Sequence, residues 1–268
     1  MADPNAADTG RLVATRRDAV LELAITNPAA RNALSPAIYA DGLRALAEAS
    51  ADPAVRVVML HGADNFFCAG GNLNRLLANR AQPPEHQRAS VDQLNRWALA
   101  IRACPKPVIA LVQGAAAGAG FSIALACDLI VAEKDARFVM AYARVGLSPD
   151  GGAIAALAAA LPPQQVFALC ALAEPVSGTD LHAAGIVHLV SEPAAALADA
   201  RALCDRLAQG PTAVYGRIKR LLQEAPRRAL AEHLDAERDA FVTSLHEEDA
   251  GEGIDAFLAK RPAQFRGA

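Results

Sequence analysis

The chain is poor in aromatic residues. Phenylalanine, tyrosine and tryptophan together supply 4% of 268 residues, with a single tryptophan. Apolar character comes mainly from aliphatic residues and alanine, which points to helices packed closely through small side chains. Basic residues are not in excess: the formal net charge is -3. That argues against a nucleic-acid protein, because phosphate binding needs a basic surface. No apolar run reaches the roughly 18 residues of a membrane span. Cys-x-x-Cys is missing, and the five cysteines are odd in number and widely spaced. Buried, reduced thiols in a cytoplasmic protein are the plain reading. The start, "MADPNAADTG", has acids, a proline and no apolar core, so neither a signal nor a transit peptide is expected. The histidines show no metal-ligand spacing such as H-E-x-x-H, and no metal is expected.

One more absence concerns "QGAAAGAGFSIALACDL" (113–129), which has no acid or base before Asp128. It is not a Walker loop, since Gly-Lys-Ser/Thr is missing. Gly118 and Gly120 match the start of G-x-G-x-x-G, but residue 123 is Ile, which fails the dinucleotide pattern. Nor is Ser122 in G-x-S-x-G.

Short alternating strands are expected across "RLVATRRDAVLELAI" (11–25), with a turn near Arg17–Asp18. Ser35 and Pro36 fit the start of a helix over 35–49. "VRVVML" (55–60) and "VIALV" (108–112) read as buried strands, each followed by a glycine-bearing loop and a helix. "DLIVA" (128–132) and "ARFV" (136–139) read as a further strand pair. "GIVHLV" (185–190) follows a short helix between Ser177 and Gly185. Beyond about residue 194 the pattern is helical only. The expected organisation is α/β, with a core over 1–200 and a helical region over 201–268. The polar, proline-bearing 78–90 reads as a mobile surface segment that lies over a site.

Two loops share a logic. "FFCAGGNLNRLL" (66–77) and "GAAAGAGFSIAL" (114–125) each place small residues just before a helix. The first amides of a helix have no internal partner and sit at the positive end of its dipole. Two such loops can hold one oxygen that becomes negative during reaction. Tight packing through Ala and Gly would explain either loop alone.

The chain resembles the enoyl-CoA hydratase/isomerase (crotonase) family. The matching stretches are "ARNALS" (30–35), "VVMLHGADNFFCAGGNL" (57–73), "KPVIALVQGAAAGAGFSIALACDLIVA" (106–132), "ARFVMAYARVGLSPDGG" (136–152), "SGTDLHAAGIVHLVSE" (177–192) and "EGIDAFLAKRPAQF" (252–265). The resemblance implies a crotonase-type spiral of ββα units with a C-terminal helical oligomerisation region, assembled as a homotrimer or a dimer of trimers. It implies an acyl-CoA thioester as substrate and no cofactor other than the coenzyme A of that substrate. The backbone N–H groups of Gly71 and Ala119 match the family's oxyanion donors.

Family hydratases use two glutamates, and their positions hold Ser122 and Tyr142 here. Neither is a carboxylate base. Asp150 in "GLSPDGG" matches the aspartate of some family isomerases and of relatives that dehalogenate aryl-CoA esters. Without the resemblance it would read as a helix N-cap. With it, Asp150 is the expected base and acid of an enoyl-CoA isomerase. The alternatives are a hydratase with a non-standard acid/base set, a hydrolase using Asp150 as nucleophile with His86 assisting, and a CoA-ester-binding protein without turnover. Arg31 and Lys260 match basic positions near the CoA, and backbone around Cys68 and Ala69 matches its adenine side. Leu76, Leu77, Phe121 and Tyr142 are expected to shape the acyl pocket. Asn72 is expected to cap the helix near Leu73. The apolar stripe Leu230, Leu234, Phe241 and Leu245 is expected at a subunit interface.

Overall fold

A computed structural model of the chain describes residues 10–267; the stretch before residue 10, read above as neither signal nor transit peptide, lies outside them. β1 (Arg11–Arg17) and β2 (Val20–Thr26) form an antiparallel hairpin, with Asp18 left-handed at the turn. α1 (Pro36–Ala51) begins where Ser35 accepts the Ile38 amide at 3.3 Å, with proline in its first turn. β3 (Val57–Gly62) leads through a loop into α2 (Leu73–Asn79) and α3 (Pro84–Ala103). β4 (Val108–Val112), β5 (Ala115–Ala117) and α4 (Ala119–Ala126) follow. Then come β6 (Leu129–Glu133), β7 (Arg137–Val139), α5 (Ala153–Ala158) and α6 (Pro163–Ala171). β8 (Val176–Ser177), α7 (Gly178–Ala183) and β9 (Leu189–Ser191) complete the strands. Four helices close the chain: α8 (Ala196–Ala208), α9 (Thr212–Glu224), α10 (Leu230–Leu245) and α11 (Glu248–Leu258).

The larger sheet runs β1-β2-β3-β4-β6-β9 and is parallel beyond its first pair. The smaller sheet runs β5-β7-β8. The unit therefore repeats: a strand in the large sheet, a short strand in the small one, then a helix. This corrects one expectation. The strands at 129–133 and 137–139 do not pair with each other, because β6 joins β4 and β9 while β7 joins β5 and β8. The link at 134–136 passes from one sheet to the other and does not form a hairpin.

Both faces of the large sheet are covered, which is why its strands read as continuous apolar runs. Val58, Leu60, Ala110 and Val112 face the core under α1, α3 and α4. Val57, Met59, Ile109 and Leu111 face α8, which offers Ala196, Ala200, Leu203 and Cys204. Within α1, Gly42 leaves room for the Trp97 indole of α3: a Cβ there would lie 2.3 Å from Nε1. The expected mobile segment at 78–90 is corrected as well. It holds the end of α2, a short link and the first two turns of the 20-residue α3. Among the described residues no helix is long and apolar enough to cross a membrane, and every cysteine is unpaired.

The helical region is tied to the body by polar contacts, the chief of them made by a buried lysine. Lys219 of α9 donates to Asp128 at 2.7 Å and to the Ile101 carbonyl at 2.8 Å. Asp128 also accepts the Val108 amide at 2.7 Å, at the start of β4. Burial pushes the Asp128 carboxyl up from its ordinary value, and Lys219 opposes that shift. Arg56 donates to Thr212 Oγ1 at 2.9 Å and to the Phe265 carbonyl at 2.9 Å. By contrast, Leu230 and Phe241 on α10 are 74% and 67% exposed in the single chain.

Removing the cation alone should be costly, because it strands Asp128 in a site that disfavours its charge. Lys219→Met should lower unfolding free energy by about 1–3 kcal/mol, since the carbonyl and carboxylate it binds lose a charged donor while water still reaches Asp128. Urea denaturation measures it, and Asp128→Asn added to Lys219→Met should recover part of the loss.

Candidate active site

The loop after β3 is fastened on two sides. Toward β5, the Cys68 amide donates to the Ala115 carbonyl at 3.0 Å, and the Ala117 amide donates to the Cys68 carbonyl at 2.9 Å. Toward the segment before α1, the Ala69 amide donates to the Arg31 carbonyl and the Leu34 amide to the Gly70 carbonyl, at 3.0 and 2.7 Å. Arg31 and Asn32 both adopt left-handed backbone. That turn aims the Asn32 amide group into the loop, where it donates to the carbonyls of Ala63 and Phe66 at 2.9 and 2.6 Å. The sequence reading missed this strut. Its signal was an Arg-Asn pair at a tight turn, since asparagine tolerates the left-handed region better than most residues.

Glycine sets the separation of the two small-residue loops. A Cβ on Gly120 would lie 2.8 Å from the Cys68 backbone oxygen and Sγ. A Cβ on Gly70 would lie 2.6 Å from the Ala117 oxygen and 3.5 Å from the Ala119 nitrogen. The loops thus meet at backbone-to-backbone distance, and the start of α4 sits beside the Gly70–Gly71 turn. Among the described residues, neither the Gly71 amide nor the Ala119 amide has an acceptor. Asn72 caps α2 through its Oδ1, which accepts the amides of Asn74 and Arg75 at 3.0 and 3.3 Å.

Beside the amides stand three side chains in series. Tyr142 packs on Gly118, whose Cβ position is 3.8 Å from the ring. Its hydroxyl donates to Asp150 Oδ1 at 2.7 Å and lies 3.0 Å from Ser122 Oγ. Ser122, one turn into α4, is 1% exposed. Asp150 is not a helix cap: Gly152 occupies the cap position of α5, and no side chain caps that helix. Burial pushes the Asp150 carboxyl up from its ordinary value, while the Tyr142 hydrogen bond pulls it down. The same burial, with Asp150 adding to it, raises the Tyr142 phenol. Tyr39 of α1, its phenol pushed up to about 12 mainly by burial, senses Asp150, Arg75 and Cys68. Tyr39 and Arg75 were not expected here; nothing in their local sequence marks them.

The structure thus gathers Gly71, Ala119, Ser122, Tyr142 and Asp150, with the Arg31 backbone holding Ala69. Tyr142, expected to shape the acyl pocket, uses its hydroxyl to bond Asp150. Phe121 does not line a pocket. It is fully buried against Phe138, ring centroids 5.0 Å apart, because α4 is enclosed on nearly every side. Cys68 is also fully buried, its thiol pushed up to about 12 by burial. Leu76 approaches Gly71, to 3.7 Å from its Cβ position, while Leu77 is exposed. His86 is exposed near the start of α3, eight residues before Leu94, which packs at Gly151. That spacing along a helix is about 12 Å. Lys260 is exposed just past α11.

Two unpartnered amides on touching loops, with a half-buried carboxylate nearby, have the makings of a site that stabilises an oxyanion while moving a proton. Known proteins resemble this chain over nearly its whole length. The sequence model of the enoyl-CoA hydratase/isomerase family matches residues 15–268. The chain is 33% identical to the 1,2-epoxyphenylacetyl-CoA isomerase of Escherichia coli K12, over 92% of this chain and 95% of that one. It is 31% identical to the 2,3-dehydroadipyl-CoA hydratase of the same organism, over 96% and 98%. The crystal structure of an enoyl-CoA hydratase from Polaromonas sp. JS666 superposes with a TM-score of 0.94 at 46% identity, covering 96% of this chain and all of that one.

The contact between the loops predicts a sensitive position. Gly120→Ala should destabilise the protein by about 1–3 kcal/mol, since the methyl meets the buried Cys68 with nowhere to move. Thermal and urea unfolding check it, with Gly251→Ala, where a Cβ meets nothing within 4 Å, as the control.

Proposed function

The chain belongs to the enoyl-CoA hydratase/isomerase family, and within it we propose an enoyl-CoA isomerase that moves one proton through Asp150. The observation that carries this reading is the Tyr142–Asp150 hydrogen bond at 2.7 Å. It fixes one carboxylate oxygen and leaves Oδ2 to meet a substrate carbon. The two groups beside it, Ser122 and Tyr142, are hydroxyls rather than acids.

The thioester oxygen of a 3-enoyl-CoA lies between the Gly71 and Ala119 amides. Asp150 Oδ2 takes a proton from C2. The C–H electron pair moves into the dienolate, and the developing charge rests on the oxygen held by the amides. One such donor is worth on the order of 3 kcal/mol in acyl-transfer enzymes. The protonated Asp150 then returns the proton to C4, giving the 2-enoyl ester. Hydration needs a further base to deliver water; a lone carboxylate at the end of a Ser122–Tyr142 hydroxyl chain favours the shuttle. No metal or additional cofactor enters these steps, since coenzyme A comes with the substrate. Arg31, Ala69 and Lys260 are the proposed CoA contacts, with Lys260 serving a neighbouring subunit. The exposed apolar face of α10 is the proposed contact of a homotrimer or a dimer of trimers.

Asp150→Asn should lower kcat by at least about a hundredfold, the usual scale of general-base catalysis, while CoA-ester affinity stays within a few fold. Turnover of 3-enoyl-CoA in heavy water should place deuterium at C2 or C4 of the 2-enoyl product. Accumulation of a hydroxyacyl product would instead identify a hydratase, and tight binding with no turnover a binding protein. The base must be ionised, and burial raises its pKa. Activity should therefore fall on acidification at a pH above 3.8, the ordinary aspartate value.

A further inference from the structure

Ser122 has one hydroxyl proton and two acceptors within reach. Its Oγ lies 3.0 Å from the Tyr142 oxygen and 3.3 Å from the Gly118 carbonyl. The Tyr142 proton is committed to Asp150, so toward Tyr142 the serine is the donor. At 1% exposure the serine has no solvent to turn to. Its proton must choose between the two.

The choice matters because the Gly118 carbonyl and the Ala119 N–H are two ends of one planar, conjugated peptide group. That carbonyl already accepts the Ser122 amide at 3.1 Å. A second hydrogen bond draws more electron density to the oxygen and strengthens the N–H as a donor, since linked hydrogen bonds polarise one another. Ser122 therefore touches both halves of the site: the base through Tyr142, the oxyanion donor through Gly118.

We propose that the Ser122 hydroxyl is a positioning switch that couples the proton on Asp150 to the donor strength of the Ala119 amide. This rests on Asp150 being the base of the reaction. While Asp150 is ionised, it polarises the Tyr142 O–H, and the phenol oxygen becomes the better acceptor for Ser122. When Asp150 takes the substrate proton on Oδ2, that polarisation falls. The serine proton then turns to the Gly118 carbonyl. At that moment the substrate oxygen carries its full negative charge and gains the strengthened amide. The covalent change is confined to one C–H bond broken and one O–H bond formed. The serine only rotates, and return of the proton to carbon reverses the turn.

The other groups facing Asp150 do not substitute for this path. Tyr39 from α1 feels the Asp150 charge, while Arg75 from α2 and Cys68 from the first loop act on Tyr39 and not on Asp150. Leu94 from α3 packs at Gly151 and carries no charge. None of these is hydrogen-bonded to the Gly118–Ala119 peptide.

The test uses the full-length protein and butyryl-CoA carrying carbon-13 at the thioester carbonyl, a saturated ester with no double bond to move. Infrared difference spectra follow the bound carbonyl stretch as pH falls through the Asp150 titration. Loss of the carboxylate charge shifts the stretch directly in every variant. Beyond that, the wild type should show an added shift to lower wavenumber, from the stronger Ala119 donor. In Ser122→Ala the pH-dependent shift should fall to less than about half that of the wild type, because only the direct field remains. In Tyr142→Phe the serine has Gly118 alone, so the stretch should sit at its low position at every pH, apart from the direct field. Equal pH-dependent shifts in wild type and Ser122→Ala overturn the coupling. Loss of turnover in Asp150→Asn alongside such equal shifts removes the coupling only. An active Asp150→Asn removes the isomerase reading with it.

Discussion

The site depends on the contact between two loops at backbone distance. Gly120 stands where any Cβ would strike Cys68, and Gly70 where one would strike the Ala117 carbonyl. Hydrogen bonds between Cys68 and the 115–117 strand then lock the loops together. Two chain segments that each end in a helix N-terminus are thereby set side by side. Their free amides come into the same region because the backbones touch. The repeat of strand, short strand and helix delivers both loops to the same region, since β3 and β4 are adjacent and parallel.

The electrostatics follow from that packing. The loops and α4 are built from small and apolar uncharged residues, so the nearby carboxylate meets few counter-charges. Burial is accordingly the largest influence on Asp150, and it disfavours the charged form. Tyr142 works in the opposite direction by donating to the carboxylate. A base needs both: enough elevation to hold a proton taken from carbon, and enough stabilisation to be ionised at the start. The same burial makes the neighbouring Cys68 inert, since a thiol pushed up to about 12 stays protonated and is a poor nucleophile.

Much of this was legible from local chemistry. Ser35 before Pro36, Asn72 before Leu73 and Ser177 in its capping box announce helix starts, and each does cap its helix. The apolar runs at 57–60 and 108–112 announce strands buried on both faces. What stayed hidden depends on direction rather than pattern. In α4 every described position from Ala119 to Ala124 is buried, so no polar stripe tells which residues face the core. Phe121 turned to Phe138 and Ser122 to Tyr142, and only tertiary packing decides that. The strands at 129–133 and 137–139 looked like partners because they are close in sequence, yet each finds its neighbours in a different sheet. Polar, proline-bearing sequence at 78–90 looked loose, but proline in the first turn of α3 is a helix start. Tyr39 and Arg75 were invisible because they reach the site from α1 and α2.

Hydroxyls rather than acids at positions 122 and 142 have a consequence for the electrostatics of the site. Carboxylates in mutual contact raise one another's pKa, so that their protons come off in coupled steps. A serine and a raised tyrosine stay neutral throughout the range in which Asp150 titrates. The site therefore has one proton to manage and a fixed set of neutral dipoles around it. Such dipoles can turn without changing charge, which is cheap inside a protein, where moving an ion is not. A single mobile proton beside rotatable hydroxyls suits a reaction that takes a proton from one carbon and returns it to another. It suits poorly a reaction that must hold, orient and split a water molecule.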